Sequence, residues 1–170
     1  LFEALRLYRD NFRPSEHLDK PHAMVGLPVM AAESDAMAHY LATTAQQKFL
    51  NLIRGKPTQS QPPVEQLDWS PVEQAQVSQF LGAAIIGGPE TVKAELEEFQ
   101  ARTGADELMI NSDFYNHADR LRSYEIVAER RLYYVYIYVY IAFRSHVGRR
   151  LHQLLAYFQG DCRGARDLRH

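Results

Sequence analysis

Residues 83–110 read AAIIGGPETVKAELEEFQARTGADELMI, and this stretch decides the fold class. Its apolar start, 83–86, predicts a short strand, and Gly87-Gly88-Pro89 then turns the chain into a helix. Apolar residues at helical spacing form the inner face of that helix: Val92, Leu96 and Phe99. Thr103-Gly104 ends the helix, and a second apolar run at 107–110 predicts the next strand. The order strand, helix, strand indicates a parallel βαβ unit.

The chain before this unit repeats the same alternation. The run at 23–32 is apolar without a period of two, which is typical of a strand buried on both faces. A long helix, capped by Ser34 or Asp35, follows it to about Arg54. Its predicted inner face places Met37 in the core. A short amphipathic helix is predicted before the first strand, at 1–12.

Two further helices complete the pattern. After a loop rich in Pro, Gln and Ser at 56–69, the segment Ser70-Pro71-Val72-Glu73 combines an N-cap serine, a first-position proline and a capping-box glutamate. This segment predicts a helix to about Leu81. Residues 118–129 predict the last helix, after the third strand. Three strands alternating with helices predict a parallel α/β fold.

Three strands are few for a complete fold of this class. They do not close a barrel, and they make a small parallel sheet to cover on both faces. The chain also opens without methionine and already inside an amphipathic segment. We therefore expect that it was cut from a longer protein.

Six short segments, in the same order and spacing, resemble one family. They are GGPETV (87–92), TGADELM (103–109), RLRSYE (120–125), ALRLYR (4–9), FRPS (12–15) and PPVE (62–65). Together they are similar to the C-terminal end of bacterial-luciferase-like flavin-dependent monooxygenases, of the type called luciferase family oxidoreductase, group 1. The resemblance extends from about residue 1 to residue 129.

This resemblance implies a fold, a chemistry and partners. The fold would be the C-terminal part of a TIM (β/α)8 barrel, with three βα units and the last three strands of eight. The activity would be oxidation of an organic substrate by O2 and reduced FMN. A flavin reductase is a possible partner, and the full-length family forms homodimers. Catalytic residues would lie mostly before residue 1, so we assign none here.

Substrates and cofactors bind at the carboxyl ends of barrel strands, and this singles out four candidate cofactor-binding residues. Asn111 and Ser112 follow the third strand and carry groups that hydrogen-bond a flavin ring or a substrate. Gly87 and Gly88 follow the second strand and offer backbone amides at a helix start, where phosphates bind. The plainer interpretations are that Ser112 caps a turn and that the glycines only allow the turn.

Other polar residues are weaker candidates for a metal-binding or anion-binding role. His17, His22, His39 and His117 lack the spacing of metal ligands, so we expect no metal site. Arg120 and Arg122 lie near the start of the last helix. One interpretation is that they reach an anion at the strand ends, but a solvated or acid-paired position on the surface is the commoner role of such arginines.

The last 40 residues differ from the rest. Residues 131–170 contain seven Arg and two acids, a net charge of +5, whereas residues 1–130 carry −7. Tyrosines at 134, 136, 138 and 140 alternate with Val and Ile, a strand pattern that an AT-rich repeat would also encode. We therefore predict two parts: 1–130, the barrel-like part, and 131–170, a non-family tail that was frameshifted or fused. The alternative is a strand that pairs with a free sheet edge, followed by a helix at 147–158.

The composition indicates which cellular compartment and which classes of partner suit the chain. The chain has 170 residues, 46% of them apolar, and a net charge of −2, which favours neither nucleic acid nor acidic membranes as partners. Its single cysteine suits the reducing cytoplasm. The sequence thus predicts a luciferase-like FMN-dependent monooxygenase that is catalytically incomplete as it stands. The alternative is a non-catalytic α/β module that acts as the partner subunit of a full-length barrel.

Overall fold

The computed structural model describes residues 1–129 and the two-residue strand Val135–Tyr136. Along the chain the elements are α1 (Phe2–Asp10), β1 (Met24–Ala31), α2 (Asp35–Ile53), α3 (Pro71–Phe80), β2 (Ile85–Gly87), α4 (Pro89–Thr103), β3 (Glu107–Asn111), α5 (His117–Glu129) and β4 (Val135–Tyr136). The predicted alternation of strands and helices is confirmed to Glu129. Boundaries shift by two residues or fewer.

Four parallel strands form one sheet in the order β2-β1-β3-β4. The amino-terminal part of β1 pairs with β3, from Met24↔Glu107 to Pro28↔Asn111. Its carboxyl-terminal part pairs with β2, from Val29↔Ile85 to Ala31↔Gly87. The short strands β2 and β3 therefore pair with different parts of β1.

This strand order differs from the order that a barrel segment would have. In a (β/α)8 barrel each strand lies between its neighbours in sequence, so β2 would separate β1 from β3. Here β1 lies between the two: β2 pairs with residues 29–31 of β1 and β3 with residues 24–28. The structure thus confirms a parallel α/β fold, and the barrel stays a proposal.

Apolar side chains form clusters on both faces of the sheet, because successive strand residues point to opposite sides. On one face Val29, Ile85 and their neighbours pack against α4 and α5, through Val92, Leu96 and Ile126 among others. On the other face Met30 packs with Ala42 and Ala45 of α2 and with Phe114. The second cluster lies at the carboxyl-terminal end of β1.

The structure contains the capping contacts that the sequence predicted at the helix ends. Ser34 is the N-cap of α2, and its hydroxyl accepts a hydrogen bond from the Met37 amide at 3.3 Å. Ser70 and Glu73 form a reciprocal capping box at the start of α3. After α4, Gly104 takes a left-handed conformation with φ of 57°, which residues other than glycine seldom adopt.

One prediction about the core is wrong. Met37 lies on the surface with 47% of its area exposed, and most of the buried residues of α2 are small, such as Ala38, Ala42 and Ala45. Small side chains let the helix approach the sheet closely, so the larger residues beside them remain outside. The inner face predicted for α4 is confirmed: Val92 and Leu96 are buried, and Phe99 packs partly buried against the same cluster.

The tail is described only at β4, which pairs in parallel with β3 through Leu108↔Val135 and Met109↔Tyr136. The remaining predictions for the tail, including the helix at 147–158, lie outside the described residues. Among the described helices, none is both long enough and apolar enough to cross a membrane.

Candidate functional site

The carboxyl ends of β1, β2 and β3 lie at one edge of the sheet, because the strands are parallel. Three connections meet there: residues 32–34 after β1, Gly88 after β2, and residues 112–116 after β3. All four candidate cofactor-binding residues belong to this edge. We call it the carboxyl edge.

Gly87 and Gly88 are needed at this edge because other chain segments come close to them. A Cβ on Gly87 would lie 2.7 Å from Cγ2 of Thr91, and a Cβ on Gly88 would lie 3.2 Å from the Asp35 nitrogen. Both contacts are tighter than real side chains tolerate without movement. The two glycines therefore allow the start of α4 to pack against the start of α2.

The Gly88 amide, which we considered as a donor to a bound phosphate, already has a hydrogen-bond partner. The Gly88 N–H donates to Oδ1 of Asp35 at 2.6 Å. This bond, followed by one from the Thr91 side chain, lowers the pKa of the Asp35 carboxyl below its ordinary value. A carboxylate from the chain itself thus lies at the N-terminus of α4, where the helix dipole favours an anion.

Ser112 is buried and its side chain is engaged inside the fold. Its hydroxyl donates to the Val29 carbonyl at 2.6 Å, and its amide donates to the Tyr124 hydroxyl at 3.1 Å. Ser123 lies beside it, with 3.3 Å between the two hydroxyl oxygens, and accepts a hydrogen bond from the Ala31 amide at 3.0 Å. The network joins the ends of β1 and β3 to α5.

Asn111 is the candidate whose side chain remains exposed. It is the last residue of β3, opposite Pro28 of β1. Within the described part of the chain, no hydrogen bond engages its carboxamide, which offers both a donor and an acceptor. Asn111 therefore has the position and the free groups that a ligand at the carboxyl edge requires.

Charged side chains surround this edge, and most of them are paired. Arg122 contacts Glu33 at 2.6 Å and also reaches Glu125 and Glu129, which raises the pKa of its guanidinium. This confirms acid pairing for Arg122. Arg120 instead contacts Nδ1 of His117 at 2.7 Å, and no acid partner of Arg120 occurs among the described residues. Those residues also contain no group of three or more His, Cys, Asp or Glu that could hold a metal.

Three residues of this site were not singled out from the sequence. Asp35 was noted only as a possible cap, although it reaches Gly88, 53 residues away. Ser123 and Tyr124 lie within RLRSYE, a segment used only for the resemblance. No local pattern marks these contacts, because each of them joins separate elements.

The fold and the carboxyl edge define a parallel α/β protein with its candidate site at the ends of the strands. Comparisons with known proteins indicate which proteins of this class the chain resembles. No family model matches the chain. The chain is 53% identical over 128 residues to an uncharacterized protein, YvbT, of Bacillus subtilis, covering 74% of this chain and 38% of that protein. It is 42% identical over 131 residues to a luciferase-like monooxygenase of Escherichia coli K12, covering 76% of this chain and 39% of that protein.

A solved structure agrees with these relatives. The chain superimposes on apo-MsnO8 with a TM-score of 0.62 and 25% sequence identity, covering 75% of this chain and 40% of that one. The chain thus spans about two-fifths of the length of these relatives. The comparisons support a luciferase-like segment, as the resemblance implied; the group 1 type stays a prediction.

Proposed function

We propose that this chain is part of a luciferase-like, flavin-dependent monooxygenase that oxidises a small organic molecule with O2 and reduced FMN. The observation that carries the proposal is the 42% identity to a luciferase-like monooxygenase over 76% of the chain. The reductase partner, the homodimer, the cytoplasmic location and the TIM barrel belong to the same proposal. Support for them comes from the resemblance.

The residues present suit the ring of FMN better than its phosphate. Asn111 ends a central strand with a free carboxamide, which can both donate to and accept from the polar edge of an isoalloxazine ring. A phosphate at Gly87 and Gly88 would have to displace the Asp35 carboxylate, which already accepts the Gly88 amide hydrogen bond. The Ser112 hydroxyl is likewise engaged, with the Val29 carbonyl.

The described residues would therefore position the cofactor. When bound, FMN supplies the oxygen chemistry, and the protein orients it and excludes water. Asn111 would hold the ring edge, and the network of Ser112, Ser123 and Tyr124 would keep the end of β3 in place. We assign no catalytic residue among them, and we propose that the isolated chain is catalytically incomplete.

A chimera tests the proposed function. Residues 1–129 replace the matching 39% of the Escherichia coli luciferase-like monooxygenase, and FMN binding and reductase-coupled O2 consumption are measured. We expect both to persist. Asn111→Ala in the chimera should weaken FMN binding roughly three- to tenfold, the worth of one neutral hydrogen bond. The control is Asn116→Ala, an exposed asparagine of the same connection, which should leave binding unchanged.

Two results would contradict the proposal. A chimera that folds, as judged by circular dichroism, yet binds no flavin while the parent enzyme does, would exclude the flavin assignment. For the isolated chain we expect no turnover, so saturable micromolar FMN binding together with reductase-coupled oxygenation would exclude catalytic incompleteness.

A further inference from the structure

Arg120 differs from its neighbour Arg122 in what its side chain contacts. Both arginines lie on α5 near the carboxyl edge, and both are partly buried. Three carboxylates contact the guanidinium of Arg122 and neutralise its charge. Within the described part of the chain, the guanidinium of Arg120 has one partner, Nδ1 of His117 at 2.7 Å. A guanidinium carries five N–H donors, so Arg120 keeps most of its donors for another acceptor.

The acids closest in sequence to Arg120 are engaged elsewhere. Asp113 binds Lys48 at 2.7 Å, and Asp119 accepts a hydrogen bond from the Asn116 carboxamide at 3.1 Å. Among the described residues, no carboxylate of the chain therefore neutralises Arg120. A partly desolvated charge without a counterion costs free energy, and an anion from solution would offset this cost.

The contact with His117 determines which chemical groups the pair presents. A guanidinium has no acceptor, so Nδ1 of His117 must accept, and the neutral ring carries its hydrogen on Nε2. The imidazole holds one N–H of Arg120 and thereby orients the fork that the other N–H groups form. The pair thus presents only donors. A ligand group made only of acceptors complements it, and the two common groups of this kind are a carboxylate and a phosphate.

The pair lies at the same edge of the sheet as the candidate cofactor-binding residues. His117 begins α5 directly after the connection 112–116, and Asn111 lies at the other end of that connection. We propose that Arg120 binds an oxyanion, the carboxylate or phosphate of a small molecule, and that His117 positions the guanidinium for it. Neither residue belongs to the groups that we proposed to contact FMN, so the anion site does not depend on the flavin assignment.

Titration of the full 170-residue chain with inorganic phosphate, and separately with acetate, tests the anion site. The Nε–H signal of Arg120 and the ring signals of His117 are followed by NMR. We expect them to shift saturably at roughly millimolar concentration with at least one of the two anions, and not with chloride at equal ionic strength. The anion that saturates at the lower concentration indicates whether the natural ligand carries a phosphate or a carboxylate.

Two variants separate specific binding from the general charge of the chain. Arg120→Gln should raise the dissociation constant, measured at the His117 ring signals, about tenfold or more, because a charge-assisted fork is lost. Arg6→Gln is the charge-matched control. Arg6 is an exposed residue of α1 that pairs with Glu3 and Asp10, and its substitution should leave the dissociation constant unchanged. Circular dichroism checks that both variants fold.

The positioning role of His117 has its own test. His117→Phe keeps a ring but removes the acceptor, and it should weaken anion binding about threefold. His117→Asn restores an acceptor within reach of Arg120 and should recover most of this loss. Equal recovery of binding in neither variant, with both as weak as Arg120→Gln, would show disruption of the site and overturn the positioning role.

Two results would overturn the anion site itself. One is a shift of the Arg120 signal that never saturates, or that chloride reproduces at equal ionic strength. The other is the same loss of affinity in Arg6→Gln as in Arg120→Gln. The first result comes from the unaltered chain, so it does not depend on how any variant folds. No flavin is used, and failure of FMN binding in the chimera would therefore disprove only the proposed function.

Discussion

Ser123 has no exposed surface, and its hydroxyl accepts the hydrogen bond of the Ala31 amide at the end of β1. Replacing it by alanine leaves that buried N–H without a partner. We expect Ser123→Ala to lower the free energy of unfolding by about 1–3 kcal/mol, the usual cost of an unsatisfied buried donor. Urea unfolding followed by circular dichroism measures it. The control, Ser78→Ala on the exposed side of α3, should change the free energy by less than about 0.5 kcal/mol; equal losses in both variants would contradict the role of Ser123.

Asp35 and Gly88 show which features of the site can be predicted from the sequence and which cannot. The sequence correctly indicated that Gly87 and Gly88 begin a helix, because glycine and proline restrict the backbone locally. It did not indicate that Asp35 takes the Gly88 amide, because that contact exists only once β2 has paired with β1. Asn111, by contrast, was identified from its place directly after a buried strand.

The capping box of α3 has a pH dependence of its own. Arg54 donates to the Glu73 carboxylate at 2.7 Å, and the Ser70 amide does so at the same distance, which lowers the pKa of Glu73 from 4.5 to about 2. A carboxyl whose pKa is depressed in the folded state stabilises the fold above pH 4.5 and loses that contribution as the pH falls towards 2.

We therefore expect Glu73→Gln to flatten the loss of thermal stability between pH 4.5 and pH 2, measured as the unfolding midpoint at a series of pH values. Glutamine keeps a capping side chain and removes only the charge. Glu65→Gln, in the exposed loop before α3, should leave the original slope unchanged. If Glu73→Gln unfolds with the same pH profile as the parent chain, the pairing with Arg54 contributes nothing to acid stability.

At the scale of elements, every helix and strand to Glu129 was predicted, but the packing of α2 was not. Its sequence contains two candidate inner faces, one with Met37 and Leu52 and one with alanines, and helical periodicity allows both. The sheet decides between them, because the alanines permit the closer approach. Leu52 remains 51% exposed on the other side.

The order of the strands in the sheet depends on the whole molecule, and local sequence patterns did not predict it. Only the family resemblance implied an order, the barrel order β1-β2-β3. The structure has β2-β1-β3-β4 instead, with β1 between β2 and β3. In this sheet Met24 of β1 and Met109 of β3 are exposed. Local patterns do not contain this information, because it depends on pairing between strands that are distant in the sequence.

The tail can be tested at this scale, because β4 covers the outer edge of β3 through Leu108↔Val135 and Met109↔Tyr136. If residues 131–170 are a non-family addition, a chain ending at Glu129 should keep its helical circular dichroism. Its β3 amides near Leu108 and Met109 should exchange with deuterium roughly fivefold faster, since a lost edge hydrogen bond is worth about 1 kcal/mol. Amides of the β1–β2 pair, such as those of Met30 and Ile86, serve as the internal control and should not change. A shortened chain that no longer folds would mean that the tail belongs to the fold, and the boundary at 130 would be wrong.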